Sequence, residues 1–138
     1  MGVREACQAC FPAHSKDCSG FAIAVAAMEA VPLAGQANEI VTTLRAGGQW
    51  VVLPDGVTAG ARAAAGDFVL GGLRGDEQAK PGAHGHVVVV VDRPPAGTNY
   101  PVAWWGSLGG TPGQDKTTNW AWTAQDRDRV TYAAWTPA

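Results

Sequence analysis

Two residues in this sequence have the types and setting to do chemistry together. Cys18 stands in the run Ser15-Lys16-Asp17-Cys18-Ser19-Gly20-Phe21, at the first turn of what the apolar stretch behind it predicts to be a buried helix. Backbone N–H groups and the macrodipole at such a helix start favour thiolate over thiol, the condition for a nucleophilic cysteine. Ser19 and Gly20 keep the turn small, so a substrate carbonyl can reach the thiol and the backbone N–H of Cys18 together, and that N–H is a ready oxyanion donor. His86 opens the valine run that ends at Val91 and is the candidate partner. An imidazole fixed on a strand can take the proton of a thiol on a helix end and later return it to a leaving amine. Taken singly, Cys18 reads equally well as a small buried hydrophobe, and His86 as a histidine satisfied by backbone groups at a strand edge. Taken together they point to thiol-dependent acyl transfer.

His84 precedes His86 by two positions, so on an extended strand both imidazoles share a face across Gly85. Cys18, His84 and His86 could supply three zinc ligands, yet neither His-Glu-x-x-His nor paired Cys-x-x-Cys spacing accompanies them, and no metal or other cofactor is expected. A third group that orients the His86 ring is harder to find. Asp92 lies too far along the strand, whereas Ala103-Trp104-Trp105-Gly106-Ser107 would run beside His86 in an antiparallel hairpin, offering a carbonyl near Trp104 or Trp105, or Ser107. Asp17 suits a helix N-cap with a local hydrogen bond. The expected groove is therefore Asp17, Ser19, His84, Trp105 and Ser107 around the Cys18–His86 pair. Cys7 and Cys10 form a Cys-x-x-Cys without the strand that precedes a redox motif, and read as core residues or a local bridge. The six tryptophans are either packing or, where exposed, a platform for a sugar-peptide polymer.

These side chains need a scaffold, and 138 residues is the size of a single domain, here 1–138. Eighteen glycines and nine prolines favour short elements and tight turns. The pattern predicts a short helix over 1–11 broken at Phe11-Pro12, a buried helix from Cys18 to Ala30, and a third from Ala37 to Arg45 closed by Gly47-Gly48. A strand over Gln49–Leu53 and a helix capped by Thr58 and stopped at Gly66 follow. Then come a strand at Asp67–Leu70, a polar loop from Gly71 to Gly85, and the central strand His86–Val91. Arg93–Pro101 is turn chemistry, Val102–Ser107 an antiparallel neighbour, Leu108–Gly113 a mobile loop, and Val130–Trp135 the last strand. The sum is an α+β fold, an antiparallel sheet with helices at one face.

Composition excludes several partners. Ten basic residues against twelve acidic ones, with no basic run, leave no footprint for nucleic acid or an anionic membrane. The longest apolar stretch, Phe21–Met28, is far short of a bilayer span of ~20 residues. No apolar segment follows Arg4 and Glu5, so a Sec-type leader is not expected. A monomer is expected.

The segments DCSGFAIAVAA, GDFVL, GHVVVVV, WWGSLGG and QDRDRVTY, in this order between about Lys16 and Tyr132, resemble the NlpC-type branch of papain-like cell-wall peptidases. More closely, they are similar to the first family of type VI secretion amidase effectors. That resemblance implies a papain-like NlpC-type fold and hydrolysis of Gram-negative peptidoglycan at the γ-D-glutamyl to meso-diaminopimelate bond of the stem peptide. Cys18 would be the nucleophile, His86 the general base and acid, and the Cys18 N–H part of the oxyanion site. It also implies delivery by a contractile injection apparatus into a neighbour's periplasm, and a cognate periplasmic immunity protein that covers the cleft. The loops Gly71–Gly85 and Leu108–Thr118 are its expected contact surface. Trp105 departs from relatives that can carry a smaller polar or thiol residue there, so the resemblance carries over no third catalytic side chain at this position, and a main-chain acceptor is the alternative. The run Asp126-Arg127-Asp128-Arg129 reads by itself as a solvated charged turn. Two other readings stand beside this one: a non-catalytic wall-binding module that uses tryptophans, and a Cys-His deamidase or acyltransferase acting on protein glutamines.

Overall fold

A computed structural model describes residues 2–92 and 99–137, so the Arg93–Thr98 part of the expected turn lies outside the described residues. Among those described, four helices precede or interleave with six strands: α1 Val3–His14, α2 Cys18–Met28, α3 Ala37–Arg45, β1 Trp50–Leu53, α4 Gly56–Ala64, β2 Val69–Leu73, β3 His86–Val90, β4 Val102–Trp105, β5 Gly113–Thr117 and β6 Thr131–Trp135. The strands form one sheet in the order β1-β6-β2-β3-β4-β5, with each pair antiparallel. This is the α+β architecture that the sequence indicates.

β3 is the inner strand on which the sheet depends. Its branched side chains stiffen the extended backbone, and successive residues alternate between faces. Val87, Val89 and Val91 join the core beneath α1, α2 and α3, while Val88 and Val90 join clusters on the other face. All five are buried to 1 % exposure or less. At ~1.5–3 kcal/mol for each large apolar side chain taken from water, this strand is among the main contributors to stability.

Helices cover both faces, not one. Ala59 and Ala63 of α4 pack on Leu53, Val69, Tyr132 and Ala134, opposite the face held by the first three helices. The sheet needs cover on its second face because Val88 and Val90 are as apolar as their neighbours. Four further boundaries differ from the sequence reading. α1 continues through Pro12 to His14, since the proline falls in the last turn on the exposed side, where Gln8, four residues earlier, is also exposed to water. α4 is capped by Asp55, whose carboxylate accepts the Thr58 N–H at 2.8 Å. β2 runs on through Gly71 and Gly72, where a Cβ would meet Tyr132 at 2.8 Å and Val41 at 2.7 Å; glycine here is a packing requirement of a strand, not a loop signal. β5 begins at Gly113, inside the expected loop, and is held at the sheet edge by Asp115, which accepts from Trp104 Nε1 at 2.8 Å and from Arg4 Nε of α1 at 3.0 Å.

Gly106 fixes how the helical layer meets the sheet. It follows β4 directly, and a Cβ there would lie 2.6 Å from the carbonyl oxygen of Asp17 and collide with that of His14. The next residue, Ser107, donates its N–H to the Ser15 carbonyl at 3.0 Å. The turn that launches α2 is thus seated on a position where only hydrogen fits. Gly106→Ala is expected to destabilise the protein by about 1–3 kcal/mol, measured by urea unfolding, because both obstructing atoms are backbone.

Candidate active site

Cys18 is the first residue of α2, after Asp17 in extended conformation. Asp17 occupies the N-cap position without bonding a backbone N–H; its carboxylate instead accepts from the Ser19 hydroxyl at 3.1 Å. The same carboxylate lies over Gly20, where a Cβ would strike it, so Gly20 makes room for Asp17. α2 is alanine-rich and packs against β3, which carries the thiol to the beginning of that strand.

Cys18 and His86 line one cleft of about 370 Å³. Asp17, Ser19, His84 and Ser107 line it too, as the sequence reading expected, and α3 supplies Asn38 and Glu39 on the facing wall. Trp105 does not. Its indole is only 1 % exposed and packs on the sheet face with Leu73, Val88 and Trp122. Trp105 shares the sheet face of His86 but lies behind its ring, packed among Leu73, Val88 and Trp122, so the imidazole lines the groove and the indole does not.

The electrostatics differ from the expectation for an isolated helix end. Burial pushes the Cys18 thiol above its ordinary value, with the nearby Asp17 charge adding to it, although hydrogen bonds from the backbone N–H groups of Val87, Ser19 and Cys18 itself act the other way. Burial also lowers His86, to about 4. Desolvation penalises whichever group is charged, so near neutral pH the pair rests as thiol and neutral imidazole rather than as an ion pair. A neutral imidazole retains the lone pair needed to accept the thiol proton.

The His86 ring has aromatic neighbours instead of a polar third group. Trp105 and Trp122 meet it at centroid distances of 6.3 and 5.3 Å, both near perpendicular. Among the described residues no side-chain hydrogen bond to this ring is formed. Ser107 would oppose His86 if the β3–β4 register continued, but its backbone bonds Ser15 instead. Trp122 was missed in the sequence because it belongs to no strand; its place in a tryptophan-rich segment was the only signal.

Three further residues hold the cleft rim: Asn38, which had no sequence signal, and Asp126 and Arg129 of the charged run noted in the sequence. Asn38 of α3 donates Nδ2 to the Ala83 carbonyl at 3.0 Å and accepts the Gly75 N–H at 2.9 Å, stapling both ends of the loop that carries His84. Asp126, 6 % exposed, accepts the Ala79 N–H at 2.7 Å, while Arg129 donates to the Glu77 carbonyl at 2.7 Å. The run 126–129 is therefore no simple solvated turn; it ties the same loop down from below. Cys7 and Cys10 are free thiols in the core, Cys10 donating to the Met28 sulfur at 3.3 Å. No group of three or more His, Cys, Asp or Glu side chains that could hold a metal ion occurs among the described residues.

A half-buried thiol on a helix start and a strand imidazole in one open cleft are the equipment of a thiol-dependent hydrolase. No protein-family model matches the chain. It is 37 % identical over 123 residues, 86 % of this chain and 75 % of the relative, to the peptidoglycan amidase Tse1 of Pseudomonas aeruginosa. This chain belongs to the family of type VI secretion amidase effectors.

The lowered His86 value has a consequence for stability with a definite sign. The unfolded chain binds a proton at this histidine below about pH 6.5, whereas the folded protein resists until about 4. Stability from this group is therefore complete above 6.5 and is lost as pH falls toward 4, by up to about 3 kcal/mol. Urea unfolding of the wild type and His86→Gln at pH 7.5 and 4.5 should show the smaller acid loss in the variant.

Proposed function

We propose that this protein is an antibacterial effector whose single papain-like, NlpC-type domain hydrolyses an amide bond in the stem peptide of Gram-negative peptidoglycan. The observation that carries the reading is that Cys18 and His86 line one cleft, in a chain whose relative is a peptidoglycan amidase. Cys18 attacks the scissile carbonyl as His86 removes the thiol proton. The charge that gathers on the carbonyl oxygen is met by the Cys18 backbone N–H at the head of α2. The imidazolium then protonates the leaving amine, and the acyl-enzyme is released by water that His86 activates in turn. Because thiol and imidazole both rest neutral, forming the ion pair is part of the barrier, and the attraction of thiolate for imidazolium in a poorly solvated cleft offsets it.

The bond favoured is γ-D-glutamyl to meso-diaminopimelate. A cleft with Asp17, Glu39 and His84 on its walls offers polar contacts for the charged groups of such a stem. Delivery into the periplasm of a neighbouring cell by the type VI apparatus, and inhibition there by a cognate immunity protein seated on the rims left outside β2 and β5, residues 74–85 and 108–112, complete the reading. The described residues contain no helix long and apolar enough to cross a membrane.

Digestion of purified Gram-negative sacculi tests the chemistry. Wild-type protein should release cleaved stems identifiable by mass, with a new amino terminus on diaminopimelate, whereas Cys18→Ala and His86→Ala should lose at least ~10³-fold in rate. Intact stems in the wild-type digest would overturn the peptidase reading; a gain of ~1 Da on a protein glutamine, the mass change of amide to acid, would replace it with a deamidase.

The resting protonation states set the pH profile. With His86 lowered to about 4, kcat/KM on a soluble muropeptide should hold through pH 6 and fall only on the acid side of an ordinary histidine, near 6.5. An acid limb centred at or above 6.5 would contradict a desolvated base.

A further inference from the structure

The cleft side and the sheet side of His86 are chemically unlike. Toward the cleft stand the titratable groups that share its walls: Cys18 and Asp17 at the head of α2, Glu39 on α3, and His84 on the preceding loop. β2 contributes apolar Leu73, the cross-strand partner of His86. From β4 and the segment before β6 come two indoles and no charge.

These indoles are themselves held in place. Trp105 donates Nε1 to the Thr111 carbonyl at 3.1 Å and is 1 % exposed. Trp122 is 7 % exposed and shares one apolar cluster with Leu73, Val88, Ala103 and Trp105. Its buried Nε1 has no hydrogen-bond partner among the described residues, and packing holds this ring against the imidazole. Trp122 is the nearer of the two, at 5.3 Å and 71°.

An imidazole on a strand has a broad, roughly two-fold second torsion, and packing or hydrogen bonding must select the angle that aims a nitrogen at the thiol. Perpendicular aromatic pairs contribute about 0.5–1.5 kcal/mol beyond their burial, enough from two sides to choose one orientation. We infer that Trp122 is a positioning residue: with Trp105 it clamps the His86 ring and keeps water from its sheet side, the task that a hydrogen-bonding third side chain performs in other thiol-imidazole pairs. The inference rests on the base assignment proposed above. It separates from that assignment because it makes a claim about the imidazole before any turnover.

The test is an NMR titration of the three histidines in the inactive Cys18→Ala protein, His86 being assigned by its loss in His86→Gln. Trp122→Leu, Trp122→Met and Trp122→Phe are compared with the parent. Removing the ring admits water, so the leucine and methionine variants should titrate His86 at least ~1 unit higher, toward an ordinary histidine, while phenylalanine holds it within ~0.3 unit. In the Cys18-intact enzyme the same two variants should lower kcat on a soluble muropeptide ~10-fold with KM within ~2-fold, and phenylalanine should restore most of kcat. If leucine fails to fold by circular dichroism, methionine decides. A titration that does not move, or a kcat that does not fall when the titration moves, overturns the clamp. An active Cys18→Ala protein would instead overturn the catalytic reading and leave the titration result standing.

Discussion

The packing of the head of α2 against the start of β3 is the constraint from which the site follows. Backbone N–H groups of the helix start and of Val87 converge on the Cys18 sulfur, and the residue before Val87 is His86. One contact between a helix end and a strand end therefore brings Cys18 and His86 to one cleft, although the two side chains come from different layers. Cys18 packs with the helical core, and His86 faces the tryptophan side. Shifting β3 by one residue would exchange its faces and turn the imidazole into the helical core. The valine run forbids this only in part, since its residues are alike on both sides. Pairing of Leu73 with His86 and of Val89 with Trp104 supplies the rest of the register.

Much of this arrangement was legible in the sequence where local patterns were strong. The apolar run behind Cys18, the Ile40, Val41, Leu44 spacing of α3 and the valines after His86 each name an element, and all three occur. Asp17, Ser19 and His84 reach the cleft because they are close neighbours in sequence of a pair whose position was already implied, and Ser107 because β4 is the antiparallel neighbour of β3. What escaped depends on partners distant in the chain. β5 carries the polar sequence Gln114-Asp115-Lys116 and is a strand by virtue of Arg4, more than a hundred positions away, and of Trp104. Gly71 and Gly72 looked like a loop because the rings and methyl groups that require their missing side chains, on Tyr132 and Val41, belong to other elements. Trp105 was assigned to the groove because it neighbours His86, whereas its burial behind that ring depends on Leu73 and Trp122 from other segments.

The rim of the cleft shows a related division of labour. The loop that carries His84 has few apolar residues of its own, and its shape is imposed by polar groups borrowed from elsewhere: Asn38 above, Asp126 and Arg129 below. Arg45 adds a paired contact to Glu77 at 2.8 Å. Half-exposed ion pairs of this kind contribute modestly, whereas the buried Asp126 carboxylate is costly to strand without its backbone donor. The loop is thereby shaped without being part of the core, as suits a wall that must admit a bulky polymer.

The uncharged state of the resting pair bears on how long the molecule stays usable. Oxidants and electrophiles attack sulfur mainly as its anion, so a cysteine kept protonated by its surroundings is a poor target while the protein waits for its substrate. The burial that disfavours ionisation of Cys18 thereby also shields its sulfur from chemical damage.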